Sequence, residues 1–261
     1  MQHWSEAAKA MMAHVVKIDT PTKSGTGFFI GNSGGGNLIG IATAAHVLDH
    51  AHLWEQPVRV THAVSGRSVF LKPADRAVLA NWERDTAALV FPKKDLGLEA
   101  SPVDLIAPDK YVPVGSEIAW LGYPGVSRDG PCFFSGRVSF YSVGLERYLV
   151  DGVAIQGVSG GPAFNMSNGA LTLIGVVSAY IPNRLTGESL PGLSVVVDVS
   201  SLKSQIASIR SFGAAKSQET QQTQAVSASP PADVLPPSGA GKPNSGTTKG
   251  RRASSPAKRK K

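Results

Sequence analysis

Gly157-Val158-Ser159-Gly160-Gly161-Pro162 is the stretch on which the reading of this chain turns. A serine set among glycines has a physical use. Glycine lacks a Cβ, so the backbone can turn tightly and bring its N–H groups together beside the hydroxyl. A plain glycine-rich turn fits the same letters, and the position of the stretch in the chain is more telling than its composition. A serine nucleophile needs a base. All six histidines (His3, His14, His46, His50, His52 and His62) precede Ser159. An α/β-hydrolase elbow, whose histidine follows its serine, is therefore excluded.

Outward from that loop, the pattern is one of short apolar runs broken by glycine and proline. The 261 residues include 28 Gly and 18 Pro, and only 17% are charged, against roughly 25% in an average soluble domain. Gly27 to Gly31 and Leu38 to Thr43 flank a loose Asn32-Ser33-Gly34-Gly35-Gly36 turn, a hairpin signal. Further strands are expected at Val58–Val60, Ser68–Leu71, Ala87–Phe91, Glu117–Leu121, Gly136–Tyr141, Tyr148–Val150, Leu171–Ala179 and Leu193–Val199. Many short strands at this spacing favour a sandwich or barrel. Helix is expected only at Ser5 to Ala13, in a turn after His46, and over residues 200–211. A proline-bearing connector, Glu99 to Val114, splits the ordered part into two β-rich halves, about 14–100 and about 110–199.

Other classes fall away on composition. No apolar run approaches the roughly 18 residues a membrane span requires. Cys132 is the single cysteine, so no internal disulfide framework exists, and its context is that of an ordinary buried thiol. The first 13 residues carry Glu6 and Lys9 and do not read as a secretory signal, so an intracellular location is expected. His46, His50, His52 and Asp49 lie close in sequence but lack the H-E-x-x-H pattern, and no metal or cofactor is expected. His50 and His52 read as solvent-facing loop residues, and Trp54 and Trp82 as barrel packing. The charge is uneven. Residues 1–212 hold 17 basic and 17 acidic side chains, whereas residues 213–261 hold 9 and 2, so the tail carries the whole net +7. Its composition reads as disordered, with a basic cluster at 249–261 that offers a handle for nucleic acid or another polyanion, or a weak nuclear-import address.

A base, an acid and a nucleophile can be taken from the chain in the order His, Asp, Ser. Thr43-Ala44-Ala45-His46-Val47 follows directly on an apolar strand. Arg84-Asp85-Thr86-Ala87 places Asp85 at the head of another; Asp75 and Asp95 start no such run, and Asp49 lies too near His46. With Ser24-Gly25-Thr26-Gly27-Phe28, Leu121-Gly122-Tyr123-Pro124, Ser135-Gly136-Arg137-Val138, Asp151 to Pro162 and Ile174 to Ser178, these segments resemble the trypsin-like serine peptidases. The likeness is strongest to the HtrA/Deg kind, which lacks disulfides, and covers roughly Ser24 to Val199. Val47 stands where secreted trypsins place a cysteine. The segment after Phe212 lacks an apolar core, so no PDZ-like domain is expected there.

This resemblance implies an all-β fold of two six-stranded antiparallel barrels, a short C-terminal helix and an endopeptidase acting on polypeptides. It implies that His46 is the general base, Asp85 its orienting acid and Ser159 the nucleophile, with imidazole and hydroxyl sharing a hydrogen bond. The N–H groups of Gly157 and Ser159 would form the oxyanion hole. Val153, Ala154, Val176, Val177, Ser178 and Ala179 would line the specificity pocket. None of them is acidic, so a small or medium apolar P1 residue is expected. From a different class, the alternative is a catalytically silent domain of the same fold that binds peptides or nucleic acid.

Overall fold

A computed structural model describes residues 4–33, 37–94, 96–98, 101–107, 109–127, 129–167, 169–182 and 189–211. The basic tail lies outside the described residues. In chain order the elements are α1 (Trp4–Met12), β1 (Val15–Asp19), β2 (Ser24–Asn32), β3 (Leu38–Thr43), α2 (Ala45–Leu53), β4 (Val58–His62), β5 (Ser68–Leu71), β6 (Ala77–Asn81) and β7 (Thr86–Pro92). The second half holds β8 (Glu117–Gly122), β9 (Cys132–Ser142), β10 (Arg147–Asp151), β11 (Pro162–Ser167), β12 (Ala170–Pro182) and β13 (Ser189–Asp198). A final helix, α3, spans residues 200–211.

Among the described residues every pairing between these strands is antiparallel, with one isolated parallel bridge from Leu105 to Leu173, and the chain has the two-barrel, chymotrypsin-like fold. The second half closes as a six-stranded barrel in the order β10-β13-β12-β11-β8-β9. The first half departs from six strands. It forms a seven-stranded sheet, β5-β4-β1-β2-β3-β7-β6, whose edge strands β5 and β6 are linked through a 3₁₀ turn at Pro73–Asp75.

Strand alternation explains why the central runs are apolar throughout. Successive side chains point to opposite faces, and both faces here are covered. In β7, Ala87, Leu89 and Phe91 enter the core of the first sheet with Ile18, Ile41, Leu48 and Val60. The intervening Ala88 and Val90 enter a second core shared with Phe28, Leu121, Phe164 and Val176, which α1 and α3 complete through Met11, Leu202 and Ile209. Ile118, Trp120, Tyr148, Ile174 and Val177 fill the closed barrel. The two halves are thus welded by an apolar seam.

Candidate active site

His46 sits in the first turn of α2, immediately after β3. Asp85 is the residue before β7, held at φ 54°, a left-handed conformation that aspartate tolerates better than most side chains. Since β3 and β7 are paired from Leu38–Pro92 to Thr43–Ala87, the helix start and the strand head come together. The Ala45 N–H donates to the Asp85 carbonyl at 3.2 Å. The His46 N–H donates to Asp85 Oδ1 at 2.9 Å, and His46 Nδ1 lies 3.0 and 2.8 Å from Oδ1 and Oδ2. One carboxylate therefore holds both the backbone and the ring of His46, at a helix end that favours negative charge.

Ser178, on β12, contributes from the other barrel. Its hydroxyl donates to Asp85 Oδ2, while its carbonyl accepts the Ser159 hydroxyl at 3.0 Å. Burial pushes the Asp85 carboxyl up, but the hydrogen bonds from His46 and Ser178, with the His46 charge, outweigh it and hold the group below its ordinary range. It is therefore kept ionised, suited to fixing an imidazole tautomer and stabilising its cation.

Ser159 lies in the loop between β10 and β11. Gly157 at φ 95° and Gly160 at φ 88° shape that loop. A Cβ at Gly157 would strike the Tyr123 carbonyl, and one at Gly160 the Thr26 carbonyl. Among the described residues, the N–H groups of Gly157 and Ser159 have no acceptor, whereas the neighbouring Val158, Gly160 and Gly161 all donate within the fold. The imidazole–hydroxyl hydrogen bond expected from the sequence is not made. A strand carbonyl, that of Ser178, takes the Ser159 hydrogen instead, and such contacts commonly tighten only when substrate is present.

His46, Ser159, Ser178, Ala154 and Gly157 line one cleft of about 470 Å³, together with Lys23, Ser24, Val47, Ile155 and Gln156. A second cleft of about 680 Å³ continues past Tyr123, Pro124 and Gly125 and shares Lys23, Ser24, Gln156 and Gly157 with the first. The two clefts adjoin through these shared residues, and Ser159 lines the first of them.

Four of the six pocket residues expected from the sequence lie elsewhere or are left open. Val176 and Val177 are buried in the two cores, because alternation along β12 turns them inward. Val153 is exposed and does not line the cleft, and the Ala179 side chain lies outside the described residues. Ile155 and Gln156, which stand where Val153 was expected to act, carry no sequence signal that separates them from it. Lys23 was also unforeseen: its Nζ donates to the His46 carbonyl at 2.9 Å and to Asp49 Oδ1 at 2.8 Å. Asp49 is thereby occupied, and Asp75 belongs to the 3₁₀ turn, where it accepts the Lys72 N–H; Asp95 lies outside the described residues. His50 and His52 belong to α2 rather than to a loop. Trp54 and Trp82 are 64% and 52% exposed and so do not pack a barrel; His52 stacks on Trp82 instead.

Residues 25–176, more than half of the chain, match the trypsin-like peptidase domain. The chain belongs to that family. It is a trypsin-like serine peptidase, a hydrolase whose substrates are polypeptides. Among solved structures it resembles the inactive form of the Rv3671c protease, with a TM-score of 0.55 and 22% identity over 78% of this chain and 92% of that one. A serine-to-alanine mutant of Rv3671c from M. tuberculosis H37Rv, also in an inactive form, matches at TM-score 0.53 and 21% identity, covering 78% and 89%. The serine endoprotease from Yersinia pestis matches at TM-score 0.59 and 18% identity, covering 80% and 67%. At these identities the likeness is one of fold. No curated protein sequence matches the chain.

Proposed function

We propose that this peptidase cleaves internal peptide bonds through His46, Asp85 and Ser159, by way of an acyl-enzyme. The observation that carries the reading is a single cleft in which a carboxylate-held imidazole, a serine hydroxyl and two unpartnered N–H groups lie together. In the resting site the Ser159 hydrogen is parked on the Ser178 carbonyl. On substrate entry the hydroxyl turns to His46 Nε2, which has no hydrogen-bond partner among the described residues. His46 takes the proton as Ser159 Oγ attacks the carbonyl carbon, and the Gly157 and Ser159 N–H groups receive the developing oxyanion. The imidazolium then returns its proton to the leaving amine, and water repeats the sequence on the ester. Asp85 steadies the cationic ring throughout.

The combined extent of the two adjoining clefts supports endopeptidase action, since it gives room for an extended stretch of polypeptide. The residues beside Ser159 on the second barrel are Ala154, Ile155, Gln156 and Ser178. With no charge among them, a small or medium apolar P1 residue fits best. Digesting casein with the wild-type chain and sequencing the new termini tests both points: internal cuts after residues such as Ala or Val are expected. Cuts confined to chain ends, or after Lys and Arg, would overturn them.

A separate reading concerns the basic cluster at 249–261, which is net positive whereas residues 1–212 sum to zero net charge. It would hold a polyanion by phosphate neutralisation. Binding to duplex DNA should then fall steeply with salt and vanish when residues 213–261 are removed; salt-insensitive binding, or binding that survives the truncation, refutes it.

A further inference from the structure

We propose that Thr26, a residue of the first sheet that touches no reacting atom, is the positioning residue that sets the oxyanion hole of the second barrel. The inference rests on the reading of Ser159 as nucleophile. Thr26 lies in β2 and is 0% exposed. Its hydroxyl donates to the Gly157 carbonyl at 2.7 Å and accepts the Tyr123 N–H at 2.9 Å. Its own N–H donates to the Ser159 carbonyl at 2.8 Å. Its carbonyl accepts the Thr43 hydroxyl at 2.6 Å, which ties it back to the strand that leads to His46.

Peptide planarity gives these contacts their consequence. The Gly157 N–H belongs to the Gln156–Gly157 peptide, and in a trans peptide the N–H points opposite to the C=O. The Gln156 carbonyl is drawn away by the Gly125 N–H at 2.8 Å, so the Gly157 N–H faces the other way. The next peptide is held too, because the Gly157 carbonyl is the acceptor of the Thr26 hydroxyl. Gly157 is thus clamped on both sides at φ 95°, a conformation that a free glycine has no reason to keep. Both clamps lead to one side chain. Thr26 holds Gly157 directly, and by binding Tyr123 it anchors the loop that presents Gly125. Without the hydroxyl, the Gly157 carbonyl is left buried and unpaired, and either flanking peptide is free to rotate and aim a carbonyl where an N–H is required.

The test uses the full chain and hydrolysis of p-nitrophenyl butyrate. Thr26→Val keeps the shape and removes the hydroxyl, and Thr26→Ser keeps the hydroxyl. We expect Thr26→Val to lower kcat about tenfold or more with KM changed less than about twofold, the pattern of an interaction made in the transition state. Thr26→Ser should stay within about threefold of wild type. A peptide aldehyde, whose adduct with Ser159 carries an oxyanion, should bind Thr26→Val about tenfold more weakly, while the matching alcohol binds it as it binds wild type. Unchanged kcat in Thr26→Val, or equal losses in the Val and Ser variants, overturns the proposal. If Thr26→Val does not fold, Thr26→Ala, which removes the hydroxyl and leaves room for a water beside the Gly157 carbonyl, decides: the same loss of kcat supports the proposal and unchanged kcat overturns it. A wild-type chain inert towards the ester sinks the functional reading itself and this proposal with it; an active wild type with an unaffected Thr26→Val sinks this proposal alone.

Discussion

The two halves of the molecule hold their share of the site in different ways. The first sheet places His46 and Asp85 on regular structure, a helix start and a strand head locked by five paired positions along β3 and β7 between Ile39 and Thr43. The second barrel places Ser159 on a loop whose shape depends on glycines and on hydrogen bonds that come in part from the opposite half. His46 and Asp85 are therefore held mainly by local construction, whereas the Ser159 loop combines hydrogen bonds within its own barrel with others supplied by the opposite half. Substitutions should divide accordingly.

The largest effect is expected where the division does not matter, at the proposed reacting groups. Ser159→Ala and His46→Ala should each reduce casein hydrolysis by a factor on the order of 10⁵ or more, and the double variant should be no worse than either single one. Additive losses would mean that base and nucleophile do not act as a unit. Asp85→Asn should follow, at about 10⁴-fold in kcat, because the amide favours the wrong imidazole tautomer; a loss of less than about tenfold would remove Asp85 from the mechanism.

Ser178→Ala probes the contact across the halves and should cost less, about three- to tenfold in kcat. It also has a pH signature. The Asp85 carboxyl is held low in the fold, so its contribution to stability is present above its unfolded value and lost as pH falls through the folded one. Removing the Ser178 donor raises the folded value, so acid unfolding of Ser178→Ala should begin at higher pH than that of wild type. An acid limb that does not move contradicts the contact.

The smallest expected effect separates the halves by titration. His14 and His62, both buried in the first half, are pushed down by desolvation. Their contribution is full above the ordinary histidine value and lost as pH falls below it. Asp198, in the second barrel, is pushed up by burial, against hydrogen bonds from Ser200 and Tyr148. Its contribution runs the opposite way and is lost as pH rises through the folded value. Between about pH 7.5 and 5.5, replacing His14 with Gln should therefore flatten the acid-side fall in Tm by roughly 2–4 °C. Asp198→Asn should not flatten it; if it does, the assignment of the acid sensitivity to the first half is wrong.

Much of this was legible in the sequence. The runs at Gly27–Gly31, Leu38–Thr43 and Ala87–Phe91 announced strands, the order of His46, Asp85 and Ser159 excluded an α/β-hydrolase, and the resemblance to trypsin-like peptidases implied the double barrel. Three strands were hidden for physical reasons. β1 is only five residues long and opens on two buried valines in a row, β6 is alanine-rich and leans on β7 for its burial, and β11 opens on Pro162, a residue seldom found inside a strand. The pocket was harder to read, because which side of β12 faces the cleft depends on a register shift between Val177 and Ala179. Thr26 and Lys23 act through partners more than 20 positions away, and no local pattern encodes such contacts.

Mass mapping after treatment with a fluorophosphonate tests the central claim most directly, because the reagent reports an activated serine without any assumption about substrate. One covalent adduct is expected, on Ser159, and it should disappear in His46→Ala. An adduct on a different residue, none at all, or labelling at the wild-type rate without His46 would contradict the claim.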